Sequence, residues 1–590
     1  MVACLSCGRP IDPQSSVCPS CNRYNDWTEE MERRAGQRRR MRRIAPLLSA
    51  FVPGLGQFFQ RRPGAALFHL ITPIFLAFLV VLLWKEEEGM TWGFWSVVAT
   101  FPILWAVNIL DAFRPYTPPR PPCQGLCPIT LDIPGYQSLI AEGRFREAYA
   151  LIHQKLPFVG TCGRICVAPC QSRCSPWLRE GMAIRDLKRF VADVERKSGG
   201  PTLPIPRPTS AQVNDRVAVV GGGPAGLTAA HFLARDGVRV TLYEATEACG
   251  GMLRSAIPRY RLPLAILEEE IRDTLAQGID LVTGVVVGRD LPVEELLKSG
   301  HRAVFLATGA PRSMPMRIAG EEKTGVMSGI AFLQAVNAGR PPDLGKVAVV
   351  VGGGNVAVDA ARTAHRLGVE KVVLAYRRTI DEMPAHPEEI AEARREGIPI
   401  MILVAPRSII GEERVKGIEL TRMGLGSPDS AGRRRPVPIE SSEFVFPCDS
   451  VIVAVGQRPD ATVLTGLSGL ATRKDGSVIV GGNGRVRGKV RCLYAGGDFA
   501  RGAASFIEAV ADGRRAYFSI MRQLGRKASF PGDWEVESAR AFSPDPGTPR
   551  VACPTVPMRK RAGFSEVVIG YSWEEATREA RRCLRCNKGY

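Results

Sequence analysis

The stretch Arg216-Val-Ala-Val-Val-Gly-Gly-Gly-Pro-Ala-Gly-Leu227 decides the fold of this chain. An apolar β-type run, Val217 to Val220, feeds directly into Gly221, Gly223 and Gly226. Pro224 and Ala225 stand within the turn, and a helical pattern follows, Leu227 to Arg235. A second strand pattern, Val238 to Tyr243, ends on Glu244, about 20 residues after the glycine turn. Strand, glycine turn, helix and acid at this spacing form the dinucleotide-binding fingerprint. Gly221 permits the tight turn, Gly223 lets backbone approach a pyrophosphate, and Gly226 lets helix and strand pack closely. The helix N-terminus offers free N–H groups and a positive dipole end to phosphate, and Glu244 can accept from ribose hydroxyls.

At 590 residues the chain predicts several domains. The net charge is +19, and much of it lies in one run from Arg33 to Arg43, just before apolar segments. That placement points to a membrane surface rather than to nucleic acid, for which no recognition signature stands in the chain. Twelve of the sixteen cysteines fall in clusters with short spacings, which is metal usage rather than a secreted disulfide framework. The chain opens on a cysteine pair and not on a basic and apolar leader, so no signal peptide is expected.

Residues 1–30 carry Cys4-x-x-Cys7 and Cys18-x-x-Cys21. Four thiolates in two such pairs predict a tetrahedral structural zinc ribbon, with a rubredoxin-like iron as the alternative. Residues 44–112 predict a membrane segment. Ile44 to Phe59 is interrupted by Pro53-Gly54-Leu55-Gly56 and reads as interfacial or re-entrant. The stretches 65–84 and 92–110 are each long and apolar enough to cross a bilayer. Arg61 and Arg62 before the first span, and Arg114 and Arg120 after the second, predict both termini in the cytoplasm. A buried helical hairpin of a water-soluble protein is the alternative. Pro115 to Pro122 reads as a proline-rich linker.

Residues 123–200 are helical in pattern and hold Cys123, Cys127, Cys162, Cys166, Cys170 and Cys174, spaced by three residues within each group. Thiolates so spaced can grip neighbouring irons of a cubane. The motifs Cys123-Gln-Gly-Leu-Cys127-Pro, Ile133-Pro134-Gly135-Tyr136, Pro157-Phe158 and Cys162-Gly-Arg-Ile-Cys166-x3-Cys170-x3-Cys174 resemble the iron–sulfur domain of the glutamate synthase small subunit. The N-terminal region of dihydropyrimidine dehydrogenase is similar. The family's remaining Arg-Cys-Leu-x-Cys pair stands here at the far C-terminus, Arg582-Cys583-Leu584-Arg585-Cys586, so residues 573–590 would complete the domain by folding back. The resemblance implies two [4Fe–4S] clusters. One would use Cys123, Cys174, Cys583 and Cys586. The other would use Cys127, Cys166 and Cys170, with a fourth ligand that family members take from a Gln or Glu on the next helix. That helix reads Ile184-Arg-Asp-Leu-Lys188-Arg here, and a lysine is a poor iron ligand, which makes Cys162 a candidate substitute.

The same resemblance extends through the rest of the chain. The FAD-binding domain is expected over 215–330 and 449–525. It would include the loop Gly251-Met252-Leu253 beside the flavin, the turn Thr308-Gly309, and Gly497-Asp498, whose carboxylate meets the flavin ribityl chain in the resembling enzymes. A helix from about Ala504 to Leu524 would aim its positive end at the flavin. An NADP-binding domain is expected over 331–448. Val347 to Val351 leads into Gly352, Gly354, Asn355 and Ala357, a GxGxxA turn. The next strand ends without an acid, on Arg377 and Arg378, which suits a 2′-phosphate and favours NADP(H) over NAD(H). The motifs Glu382-Met-Pro-Ala385 and 429–436 also match the family.

The expected architecture is therefore α/β, with two nested Rossmann-like domains for FAD and NADP. A helical iron–sulfur domain, a transmembrane helical hairpin and a small zinc ribbon precede them. The expected protein is an FAD-dependent pyridine nucleotide oxidoreductase at the cytoplasmic face of the membrane, with the membrane and a redox protein or quinone as partners. No side chain is assigned as acid, base or nucleophile. No Cys-x-x-Cys lies inside the flavin module, which disfavours a disulfide relay. A glutamate synthase small subunit and a non-enzymatic membrane redox sensor are the alternatives.

Overall fold

The computed structural model describes residues 121–172, 174, 180–199, 215–428, 433–490, 492–528, 548–561, 563–584 and 586. Before residue 121 it describes only 2–3, 10–11, 71, 99–100, 102–104 and 106–107. The two cysteine pairs at Cys4, Cys7, Cys18 and Cys21, almost all of the two expected membrane spans, and the start of the 429–436 motif lie outside the described residues. Among the described residues no helix is long and apolar enough to cross a membrane. The chain divides into two compact units, and Pro122–Leu584 forms the larger.

Within that larger unit, Arg216–Val220 is the middle strand of a five-stranded parallel sheet. Its neighbours are His301–Leu306 and then Leu493–Ala495 on one side, and Arg239–Glu244 and then Asp280–Thr283 on the other. The apolar run suits a strand covered on both faces. Val217 and Val219 face a core shared with Leu227 and Phe232 of the helix Pro224–Arg235 and with Tyr517 and Ile520 of the helix Phe506–Gln523. Ala218 and Val220 pack into the opposite core with Val293, Leu296 and Val478. The two-residue period of a strand divides one sequence between two cores.

The second sheet is also parallel and five-stranded, in the order Ile400–Ile402, Lys371–Tyr376, Val347–Val351, Ser450–Val453, Val326–Ser328. This corrects the expected domain boundaries. Val326–Ser328 and Ser450–Val453 had been expected in the FAD domain, yet Ser450–Val453 pairs with Val347–Val351 and Val326–Ser328 lies beside it. A short apolar run fits the middle of either sheet equally well, and only pairing assigns it. The crossing between domains is instead marked by Arg312–Ser313 on the way out and Gln457–Arg458 on the way back, which pair antiparallel. A three-stranded antiparallel sheet, Val404–Ile410, Gly417–Pro428 and Arg434–Pro447, extends from the second domain.

The cysteine-bearing part is helical. Ile133–Ala141, Phe145–His153, Val159–Ile165 and Ile184–Lys197 pack together, and the C-terminal helix Trp573–Arg581 lies against the first of them. The tail is held by Glu579, which is fully buried and accepts from the Ala183 and Val551 N–H groups at 2.8 and 2.9 Å. Arg582 pairs with Glu579 and donates to the Glu180 carbonyl oxygen. Removing one partner of such a buried pair costs about 3–5 kcal/mol.

Candidate active site

A cavity of about 450 Å³ lies where the two parallel sheets and the helical part meet. That volume falls within the roughly 300–1,000 Å³ of small-molecule sites. Gly221, Gly223, Pro224 and Ala225 line it at the start of the first glycine-turn helix, and Glu244 lines it at the end of the next strand. Glu244 is buried, and its Oε2 accepts from the Gly222 N–H at 2.7 Å, so the acid also closes the turn it serves. Gly251, Met252, Leu253, Thr308 and Gly309 form further wall. Gly226 stands behind the turn.

Gly497 and Asp498 reach the same cavity. The Gly497 N–H is fixed by Asp512 Oδ2 at 3.0 Å, and Asp512 is in turn held by Arg501 and Arg515. Burial pushes the Asp498 carboxyl up to about 6, although the Ala504 N–H donates to its Oδ1. Ser505 and Glu508 form a capping box at the start of Phe506–Gln523, and Ser505, Phe506 and Ala509 line the cavity. The positive end of this helix therefore faces the site.

The second glycine turn opens on the same space. Gly354 caps the helix Asn355–Arg366, whose Asn355, Val356 and Asp359 line the cavity. The Asn355 side-chain oxygen accepts from the His386 N–H at 2.9 Å. Gly352 and Ala357 pack this helix against its strand. The structure divides the arginine pair expected at the 2′-phosphate. Arg377 is exposed at the end of Lys371–Tyr376. Arg378 is buried, and its Nε donates to the Arg434 carbonyl oxygen at 2.7 Å, tying the strand end to the antiparallel sheet.

The cysteines form two neighbouring groups. Cys127, Cys166 and Cys170 line a small void with Tyr136, Ile184 and Lys188. Cys123 has Cys583, Cys174 and Cys170 close enough that, after burial, their charges raise its thiol. Cys586 is described and partly exposed. Among the described residues no three His, Cys, Asp or Glu side chains converge on a single ion. A cubane differs from an ion, because each of its irons takes its own thiolate around a core of iron and sulfide. Free thiols gathered in the interior, with no disulfide among them, have the donor chemistry that such a core requires.

Close helix packing brings these thiols together. A Cβ on Gly163 would lie 2.5 Å from Arg189 Cα, so only glycine lets Val159–Ile165 approach Ile184–Lys197 this closely. That approach sets Lys188 Nζ 3.0 Å from Cys162 Sγ. Burial works against the Lys188 charge, but Cys162, Cys166 and Cys170 outweigh it and leave the ammonium favoured. Cys166 is held down to about 5, first by the Cys162 hydrogen bond, whereas burial pushes Cys170 up to about 12. Cys166 also lines the large cavity, with Ile165 and Val167, so one residue is wall to both spaces.

Residues 215–513 match the family described as pyridine nucleotide-disulphide oxidoreductase, and residues 106–200 match dihydropyrimidine dehydrogenase domain II, 4Fe-4S cluster. The chain belongs to the pyridine nucleotide-disulphide oxidoreductase family. It is 40% identical over 507 residues to the beta subunit of an NADP(+)-dependent formate dehydrogenase of Moorella thermoacetica, covering 79% of this chain and 70% of that one. It is 36% identical to the beta subunit of an NADPH-Fe(3+) oxidoreductase of Geobacter sulfurreducens, over 79% of this chain and 75% of the relative. The small chain of an NADPH glutamate synthase of Halomonas elongata is 34% identical over 69% of this chain and 88% of its own. This family member is an FAD-dependent oxidoreductase that uses NADP and carries a [4Fe–4S] cluster.

Several residues that build the site are silent in the sequence. Gly163 stands inside the quoted cysteine motif, but nothing in that motif says which helix passes over it. Arg261 grips Asp359 with Nη1 at 2.6 and 2.8 Å, locking the FAD-domain loop to the NADP-domain helix. Arg185 pairs with Glu388 at 2.6 Å and ties the cysteine helices to the NADP domain. The proline-rich stretch before the last helix is equally quiet, yet Val567 N–H donates to the Tyr260 carbonyl oxygen and Tyr571 Oη to that of Val551. Long-range pairs of this kind leave no periodic trace.

Proposed function

We propose that this protein is a membrane-anchored NADPH-dependent flavin and iron–sulfur oxidoreductase with two [4Fe–4S] clusters. Its acceptor is a redox partner protein or a quinone. The observation that carries the reading is Cys166, which borders both the dinucleotide cavity and the void between Cys127 and Cys170. A bound flavin would take a hydride from nicotinamide and release electrons singly, which is what thiolate-bound iron accepts. The chain's own share is positioning. Two glycine-turn helices aim their N-termini into one cavity, Gly251 to Leu253 and Thr308 to Gly309 wall it from water, and Asp498 offers a hydrogen-bonding carboxyl.

The beta subunits among the relatives, by name parts of larger enzymes, favour a protein acceptor for this chain as well. The apolar stretches 65–84 and 92–110, with arginines on their outer flanks, support a hairpin anchor that keeps both termini and the catalytic domains in the cytoplasm. The pairs Cys4/Cys7 and Cys18/Cys21 support a zinc ribbon.

The test is spectroscopic. Anaerobically purified protein is expected to contain FAD and about two clusters' worth of iron, to bleach with NADPH, and to be reoxidised by membranes faster than by soluble extract. Deleting Cys583 to Tyr590 is expected to remove about one cluster's worth of iron and leave FAD in place. Coloured protein that never bleaches would sink the enzymatic reading.

A further inference from the structure

We propose that Cys162 is the fourth thiolate of the cluster bordered by Cys127, Cys166 and Cys170, and that Lys188 is its built-in counter-cation, raising that cluster's reduction potential. The inference rests on the proposed reading of that void as a cluster site.

Three observations carry it. Cys162 is fully buried and its thiol is hydrogen-bonded to that of Cys166, which lines the void, so its sulfur stands directly behind the void's wall. Lys188 is buried too, lines the void, and donates to Cys162 Sγ at 3.0 Å. Among the described residues no carboxylate pairs with its ammonium. A buried ammonium without a counter-charge costs several kcal/mol, and four thiolates around one core supply that counter-charge. The close approach of helices at Gly163 fixes the geometry, since Cys162 lies one residue before that glycine and Lys188 one residue before the Arg189 Cα it packs on.

The consequence is electrostatic. Reduction adds one negative charge to a cluster, and a cation hydrogen-bonded to a ligand sulfur stabilises the added charge. The cluster next to the dinucleotide cavity therefore accepts an electron more readily than four thiolates alone would allow. Lys188 acts through Cys162 and is a positioning and tuning residue.

The test uses the full-length protein, anaerobically purified, with iron and sulfide counted and each cluster's midpoint followed by low-temperature electron paramagnetic resonance. Cys162→Ser is expected to lose one cluster or alter its signal while the other signal and FAD persist. Lys188→Met is expected to keep the iron and shift that same cluster's electron equilibrium at least tenfold towards the oxidised form, about 59 mV for one electron. Should Lys188→Met lose the cluster, Lys188→Arg decides: a retained cluster within threefold of wild type supports the role, and loss in both variants overturns it. An unchanged signal in Cys162→Ser, or an unmoved midpoint in Lys188→Met, overturns the inference while leaving the oxidoreductase reading intact. Wild-type protein with no iron signal would instead remove the reading on which the inference rests.

Discussion

The two nucleotide-binding sheets have five parallel strands each and the same strand–turn–helix entry, yet they differ at two places. In the first, the third small residue is Gly226, and a Cβ there would lie 1.9 Å from the Gly221 carbonyl oxygen. In the second, Ala357 holds that place, its Cβ already close to where a Gly352 side chain would begin. The first turn has no room for the methyl group that the second one carries. The strand ends differ as well. Glu244 is buried and turned back on the Gly222 N–H, whereas Arg377 stands exposed and Arg378 is buried against Arg434. The difference lies in how tightly each turn is packed and in the charge at each strand end.

The largest expected effect is at Gly226. Gly226→Ala forces the helix off its strand at a cost of about 1–3 kcal/mol and should abolish FAD retention, read from flavin absorbance of purified protein. Stoichiometric FAD in that variant would erase the contrast between the two turns. Arg377→Glu comes next. Losing a charge-assisted contact worth about 1.5–3 kcal/mol should lower kcat/KM for NADPH by about 10–100-fold and leave NADH nearly unaffected. Equal losses for both would place the 2′-phosphate elsewhere.

Asp498 sharpens the comparison on the FAD side. Its carboxyl is raised to about 6, chiefly by burial, so the folded protein holds that proton more firmly than the unfolded chain. Stability of the FAD-free protein should therefore fall as pH rises from about 4 to about 6 and level off above. Asp498→Asn should remove this dependence and melt later than wild type above about pH 6, by about 1–3 kcal/mol, with no difference below about pH 4. Parallel melting curves across that range would refute the assignment. The smallest effect is at the second turn, where Ala357→Gly should cost about 1 kcal/mol in thermal melts and leave FAD content unchanged.

Much of the site was legible in the residues. The turns at Gly221 and Gly352 and the spacing to Glu244 carry short-range chemistry, and each lines up with the strand and helix that the apolar periodicity predicts. Assignment of Ser450–Val453 to a sheet was not legible, because an apolar strand carries no mark of its neighbours. Nor was the division between Arg377 and Arg378, which depends on a carbonyl 56 residues further on.

Periodicity, turn chemistry and cysteine spacing act within a few residues, so they point to which elements form and which groups are candidates to hold dinucleotides and iron. Only the folded chain could decide that both glycine turns open on one cavity and that Lys188 meets Cys162. Those meetings depend on helix crossings and buried ion pairs between distant segments. Their free energy appears only when the whole core packs at once.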